Sequence, residues 1–274
     1  MSHPVNDHAL DVIFRDGRSY NGFQDKDVPE VLVRAVYDLA KMGPTSANCS
    51  PARFVFVSSA EGKERLLPLV SQGNQQKVKE AKWSVIIAYD MEFQEKIPKL
   101  FPHNPSAKTW FDNNREETAF RNGSLQSAYF LMAARSLGLD TGPMSGFDMD
   151  GVNKEFFESQ DGEEKNWRVN WICNLGYGDK STIFARSPRL HFDEACRIVW
   201  RIWTGSPWSP GRAVSRASGL ALPMPAACRS SSKRPASGSP VSRPPFQPEW
   251  KTLCSAALPR KNARRSKPGG CRAS

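Results

Sequence analysis

Residues 1–198 predict an α+β fold, on three observations. Runs rich in β-branched and aromatic residues occur at Phe54–Val57, Trp83–Tyr89 and Arg168–Leu175. Segments of helical period are grouped around them and do not alternate with them strictly. That grouping favours a central antiparallel or mixed sheet flanked by helices over a doubly wound parallel sheet.

The first helix is expected from Asp27 onward. Asp27 and Glu30 stand at capping-box spacing, and Leu32, Ala35, Val36 and Leu39 recur at i, i+3, i+4 and i+7. Gly43 suits a left-handed C′ position and Pro44 ends the segment. Phe54–Val57 then reads as a buried strand. Residues 61–70 and 75–82 read as short helices, and Trp83–Tyr89 as a second buried strand. Residues 93–114, rich in Pro, Asn and aromatics, have no clean period and read as a loop or lid. A long helix is expected over 117–137, with Leu125, Ala128, Tyr129, Met132, Ala133 and Leu137 as its apolar stripe and Gly138 as its stop. Leu139–Asp148 reads as a Gly/Pro loop, and Arg168–Leu175 as a third strand.

Composition changes near Arg197. From there to Ser274 fifteen Lys and Arg face a single acid, Glu249, a charge of +14. The whole chain carries +10, so residues 1–196 carry −4. Ser, Pro, Arg, Ala and Gly fill 50 of the 74 positions from 201 to 274. Such a segment buries too little apolar surface to offset chain entropy, so residues 199–274 are expected to be a disordered, low-complexity basic tail. A nucleic-acid arm or a proline-rich interaction segment would share this composition. An off-frame continuation or fusion of GC-rich coding sequence is the preferred reading.

Several function classes find no support. No apolar run reaches the length of a bilayer span, and the N-terminus lacks a basic-then-apolar signal pattern, so a cytoplasmic, non-membrane protein is expected. Of the six cysteines, Cys228, Cys254 and Cys271 lie in the tail; Cys49, Cys173 and Cys196 before it are odd in number and widely spaced, which suggests neither a disulfide framework nor a zinc site. His3, His8, His103 and His191 show no metal spacing, so no metal is predicted. Gly138, Gly142 and Gly146 do not spell a dinucleotide fingerprint, and there is no Walker loop. Cys49 is read as a packing residue before a nucleophile.

The most informative stretch is the turn between the first helix and the first strand. Thr45, Ser46, Asn48 and Ser50 put four short hydrogen-bonding side chains between two core elements. Ordinary turn chemistry explains them, and so does a rigid polar site. Pro44-Thr45-Ser46-Ala47-Asn48-Cys49-Ser50-Pro51 before a hydrophobic strand resembles the Pro-Ser-Ser-x-Asn-x-Gln-Pro-Trp segment of the FMN-dependent nitroreductase family. Ser50 replaces the Gln and Ala52 the Trp. With residues 169–180 and Pro188-Arg189-Leu190, the spelling is most similar to the subgroup holding the malonic semialdehyde reductase of the Rut pyrimidine-degradation pathway. The likeness covers about residues 8–198.

That resemblance implies an intertwined homodimer with two FMN sites, and NADH or NADPH as a transient hydride donor. It assigns Arg18 and Ser19 to the phosphate and ring, with Gly17 where the family has a first Arg. Thr45, Ser46 and Asn48 become flavin contacts, reaching mainly the flavin held by the other subunit. Asn74 is carried over as a contact, Pro143, Ser145 and Gly146 as the loop whose backbone faces flavin N5, and Arg189 as a phosphate ligand helped by Lys180 and Arg186. No protein acid or base is assigned. The implied activity is NAD(P)H-dependent reduction of malonic semialdehyde to 3-hydroxypropionate. Broad nitro- or quinone reduction is the alternative, and nucleic-acid binding through the tail a third reading of another class. Arg115 and Arg121 are candidate cations for a carboxylate substrate. Phe101, Trp110 and Phe111 are candidates to roof the flavin.

Overall fold

The computed structural model describes residues 3–199, and the chain divides into two units after Arg197. The basic tail expected over 199–274 therefore lies almost wholly outside the described residues. In order the chain forms α1 (Asp7–Leu10), α2 (Glu30–Ala40), β1 (Ala52–Val57), α3 (Ala60–Leu66), α4 (Gln72–Glu80) and β2 (Trp83–Asp90). These are followed by α5 (Ile97–Leu100), α6 (Arg115–Ser136), β3 (Asp140–Met144), α7 (Met149–Asn153), β4 (Trp167–Gly176) and α8 (Phe192–Ala195).

The four strands make one sheet in the order β1-β2-β4-β3, antiparallel throughout. Alternation along β2 fills both faces, because successive strand side chains point to opposite sides. Val85 and Ile87 join Val36, Ala40, Phe130, Ala134 and Leu139 in the core under α2 and α6. Ile86 and Ala88 join Leu66, Val78, Val152 and Phe157 in the core under α3, α4 and α7. Helices thus cover both faces, and the sheet is the middle layer.

The expected strands are present, and so is the long helix, but the structure corrects several local readings. No capping box forms at α2: Pro29 is its N-cap, and Asp27 is exposed and pairs with Lys82 at 3.3 Å. Its buried positions are Val33, Val36 and Ala40, while Leu39 faces solvent. Gly43 does not take a positive φ. A Cβ there would come within 2.9 Å of the Tyr129 ring, so close approach explains the glycine. β1 is an edge strand with half-buried Phe54, Val55 and Phe56, not a buried one. Residues 93–114 are not a lid without order. They form 3-10 turns at Phe93–Lys96 and Pro105–Phe111 around α5, closed over buried Phe93, Ile97 and Phe111.

Two further corrections bear on the site. The segment read as a Gly/Pro loop contains β3, and Pro143 is tolerated there because β3 is an edge. In α6 the predicted stripe is rotated. Asn122, Gln126, Ser127, Phe130 and Ala134 are buried, whereas Leu125 and Ala128 are exposed. Hydrogen bonds satisfy the inward polar groups, so this face packs without being apolar. The helix ends as expected: Gly138 takes φ +77°, and the Leu139 amide reaches the Ala134 carbonyl at 2.9 Å.

Candidate functional site

β3 organises one set of the expected residues. Ser19 bridges Thr141 in parallel, and the Tyr20 amide donates to the Thr141 carbonyl at 3.0 Å. Gly142 permits this approach, because a Cβ would lie 2.8 Å from the Tyr20 carbonyl oxygen. At the other end, Ser145 and Gly146 follow the last sheet pair, Met144 with Ile172. Asn74, in the first turn of α4, donates through Nδ2 to the Gly146 carbonyl at 3.0 Å. The Ser71 amide donates to the same oxygen at 2.9 Å. At strand rise, Ser19 and the Ser145–Gly146 backbone are roughly 15 Å apart along one edge.

Arginines gather near the Ser19 end. Arg18 donates to the Phe184 carbonyl. Arg186 donates to the carbonyls of Arg15 and Gly17 at 2.6 and 3.0 Å. The segment after β4 is thereby tied to the segment before Ser19. Arg189 is not brought into this group: it is exposed and donates to its neighbours' carbonyls at Ser187 and Pro188.

The loop between α2 and β1 is held by α6, by α5, by β2 through Arg53, and by itself. Ala47, Asn48 and Ser50 all have left-handed φ, between 40° and 50°, although none is glycine. Such conformations persist where surrounding contacts over-determine them. The Ser46 amide donates to Asn122 Oδ1 at 2.9 Å, and the Ala52 amide to Gln126 Oε1 at 3.1 Å. Thr45 Oγ1 accepts from the Ser50 amide at 3.0 Å, and Asn48 Nδ2 donates to the Leu100 carbonyl at 2.8 Å. Arg53 clamps the exit. It donates to the Ser50 and Ala52 carbonyls at 2.9 Å and pairs with buried Asp90 at 2.6 Å.

Within one protomer these two sets stay apart. β1 and β3 are opposite edges of the sheet, and the loop meets the end of β1 where Ala52 pairs with Tyr89. Thr45, Ser46 and Asn48 therefore do not join Arg18, Ser19, Asn74, Pro143, Ser145 and Gly146.

Burial sets the ionisation states nearby. Cys49 is fully buried, which pushes its thiol up to about 11, and the neighbouring Thr45 hydroxyl offsets this in part. A thiol held protonated is a packing group and not a nucleophile. Burial also raises the Tyr20 phenol, with the Asp140 carboxylate adding to it. Arg115 is paired with Glu92 at 3.3 Å, and Arg121 with Glu117. Phe111 is buried, so of the proposed roof residues only Phe101 and Trp110 retain accessible rings.

The donor set suits a flavin nucleotide in kind. Cations and Ser19 stand at one end of β3, and Asn74 with the backbone of Ser145 and Gly146 at the other. Thr141 Oγ1 and Arg135 Nε are buried on this flank without a hydrogen-bond partner among the described residues. Sequence reasoning missed Asn122, Gln126 and Arg135. Asn122 and Gln126 fall four apart inside a helix, a spacing that already marks one polar stripe. Arg135, near a helix C-terminus, reads in sequence as a dipole partner only.

The sequence model of the Nitroreductase family matches residues 15–177, and the chain belongs to that family. A Stenotrophomonas maltophilia (strain R551-3) protein, named provisionally as an NADH dehydrogenase/NAD(P)H nitroreductase, is 53% identical over 202 residues. Those residues are 73% of this chain and all of the relative. A counterpart from strain K279a is 52% identical over the same length. The fold agrees with a provisionally named nitroreductase of Exiguobacterium sibiricum 255-15, solved in complex with FMN. Its TM-score is 0.62 at 18% identity, covering 72% of this chain and 99% of that one. A Staphylococcus epidermidis protein, named provisionally as an NAD(P)H:FMN oxidoreductase, gives 0.61 at 19% identity, covering 72% and 98%.

Proposed function

We propose that this protein is an FMN-dependent NAD(P)H oxidoreductase acting as a homodimer, with malonic semialdehyde as its acceptor. The observation that carries the flavin reading is the edge of β3, which links cationic Arg18 and Arg186 to the backbone beyond Met144. FMN held there would supply hydride transfer between NAD(P)H and the acceptor. Arg18 and Ser19 would hold the phosphate end; Asn74 fixes the Gly146 carbonyl, and the Ser145 and Gly146 amides would serve the flavin ring. Pre-set amides at that point stabilise negative charge on the ring without reorganising.

Thr45, Ser46 and Asn48 complete the site of a second protomer. Two observations support dimerisation. These residues sit on the edge opposite their expected partners. Val31, Leu39, Met42, Phe120 and Leu125 also leave α2, α6 and the adjoining turn unusually apolar at the surface.

The aldehyde acceptor rests on the sequence likeness over residues 41–57, 169–180 and 188–190. The nitroreductase name of the 53%-identical relative favours the second reading, a nitro- or quinone reductase, in its nitroreductase part. Steady-state kcat/KM for malonic semialdehyde and for a nitroaromatic, with the same NAD(P)H, tests the choice. The proposal expects the aldehyde to be preferred; a hundredfold preference for the nitroaromatic would overturn it.

A further inference from the structure

We propose that Arg135, which lines the cavity beside Gly17, is a further cation for the phosphate end of the flavin site. The inference rests on the flavin reading above and adds a residue to which that reading gives no role. The cavity measures about 230 Å3 and is lined by Gly17, Tyr20, Arg135, Leu139, Asp140 and Lys180, among others. Arg135 enters it from the last turn of α6. One Nη donates to the Ile13 carbonyl at 3.1 Å, while Nε is buried and meets no hydrogen-bond acceptor.

No carboxylate compensates this guanidinium by direct pairing. Among the described residues, Arg18, Arg135, Lys180 and Arg186 form no ion pair with Asp or Glu, whereas Arg15, Arg53, Arg65 and Arg115 do. Asp140 lines the cavity, but its carboxylate accepts from the Gly178 amide at 2.9 Å and from the Tyr20 hydroxyl. Asp16, the other carboxylate there, is exposed at the rim. Burial, the largest cause, and the neighbouring Arg186 disfavour the charged form of Arg135, and Cys173 and the Asp140 carboxylate offset this only in part. A partly desolvated cation with an unused donor is costly unless an anion meets it.

Glycine at 17 makes the arrangement possible. A Cβ at that position would lie 2.8 Å from three atoms of the Arg135 guanidinium. The bare backbone lets that group lie against Gly17, whose carbonyl accepts from Arg186. Guanidinium forks suit the oxygens of a phosphate, which would accept from Nε and neutralise the cluster. The chemistry is shared by the phosphate of FMN and by free phosphate. Continuity with Ser19 along β3 favours the nucleotide.

The test is fluorescence titration of the full-length protein with FMN and with riboflavin, which lacks the phosphate. The wild type should bind FMN more tightly. Arg135→Gln should weaken FMN by about tenfold to a hundredfold and leave riboflavin within about twofold, as expected for a charge-assisted contact. Arg135→Lys should recover part of the loss. Gly17→Ala, which displaces the guanidinium from outside, should reproduce the selective loss in a chain that keeps Arg135. An unchanged FMN-to-riboflavin ratio in Arg135→Gln, or an equal loss for both flavins in both variants, would overturn the proposal. If the wild type binds neither flavin, the flavin reading fails and inorganic phosphate decides. A rise in thermal midpoint present in wild type and absent in Arg135→Gln keeps the site as one for free phosphate; no rise removes it.

Discussion

Asn122, in the middle of α6, accepts the Ser46 amide on Oδ1 at 2.9 Å and donates through Nδ2 to the Thr118 carbonyl at 2.9 Å. The long helix therefore sets the start of the loop that carries Thr45, Ser46 and Asn48. Asn122→Leu leaves the Ser46 amide without its acceptor. A loss of about 1–3 kcal/mol in urea unfolding is expected, together with weaker flavin binding. Unchanged stability and flavin affinity would show that the loop holds itself.

Arg53 and Asp90 fix the other end of that loop. Their side chains are 19% and 4% exposed, so each needs the other. Arg53→Met strands a buried carboxylate and should cost roughly 3–5 kcal/mol. Arg53→Met combined with Asp90→Leu should cost less than Arg53→Met alone. A double-mutant cycle in urea measures the coupling, and strict additivity would contradict the pairing.

Buried thiols make the fold sensitive to alkali. Cys49 is raised to about 11 by burial, against about 8.5 for an unfolded cysteine. Both states are protonated below the unfolded value, so the thiol's stabilising share is intact there. Between about 8.5 and 11 only the unfolded chain ionises, and stability falls by roughly 1.4 kcal/mol per pH unit from this group. Cys173, pushed up to about 12, adds a parallel loss that extends further. Urea midpoints from pH 7.5 to 10.5 should fall above pH 8.5, and Cys49→Ala should make the fall shallower.

Two glycines predict different penalties. At Gly138 a Cβ meets nothing within 4 Å, so Gly138→Ala pays only for its positive φ, roughly 1–2 kcal/mol. At Gly142 a Cβ would press on the Tyr20 carbonyl at 2.8 Å. Gly142→Ala should therefore displace Ser19 from β3 and lower FMN affinity, whereas Gly138→Ala leaves that affinity intact. Equal effects on FMN affinity would contradict the role given to β3.

Elements with strong periodicity were legible in the sequence: β1, β2, β4 and α6 all lie within a few residues of their expected positions. β3 was not, because Gly142 and Pro143 spell a loop, and only an edge position lets them pair. The buried face of α6 was hidden for a different reason. Asn122 and Gln126 are buried to serve backbone amides at Ser46 and Ala52, and hydropathy counts such residues as surface. Left-handed Ala47, Asn48 and Ser50 also lack the glycine that would have announced them. The likeness supplied most of the flavin-site expectations. The structure gathers Ser19, Asn74 and Gly146 along β3, while Arg189 and the loop at Thr45 lie elsewhere in the protomer.

Absorbance of the purified protein, before and after incubation with excess FMN and gel filtration, tests the central claim most directly. The account predicts a yellow protein of dimer size retaining about one FMN per protomer. A colourless monomer that emerges without flavin would contradict it.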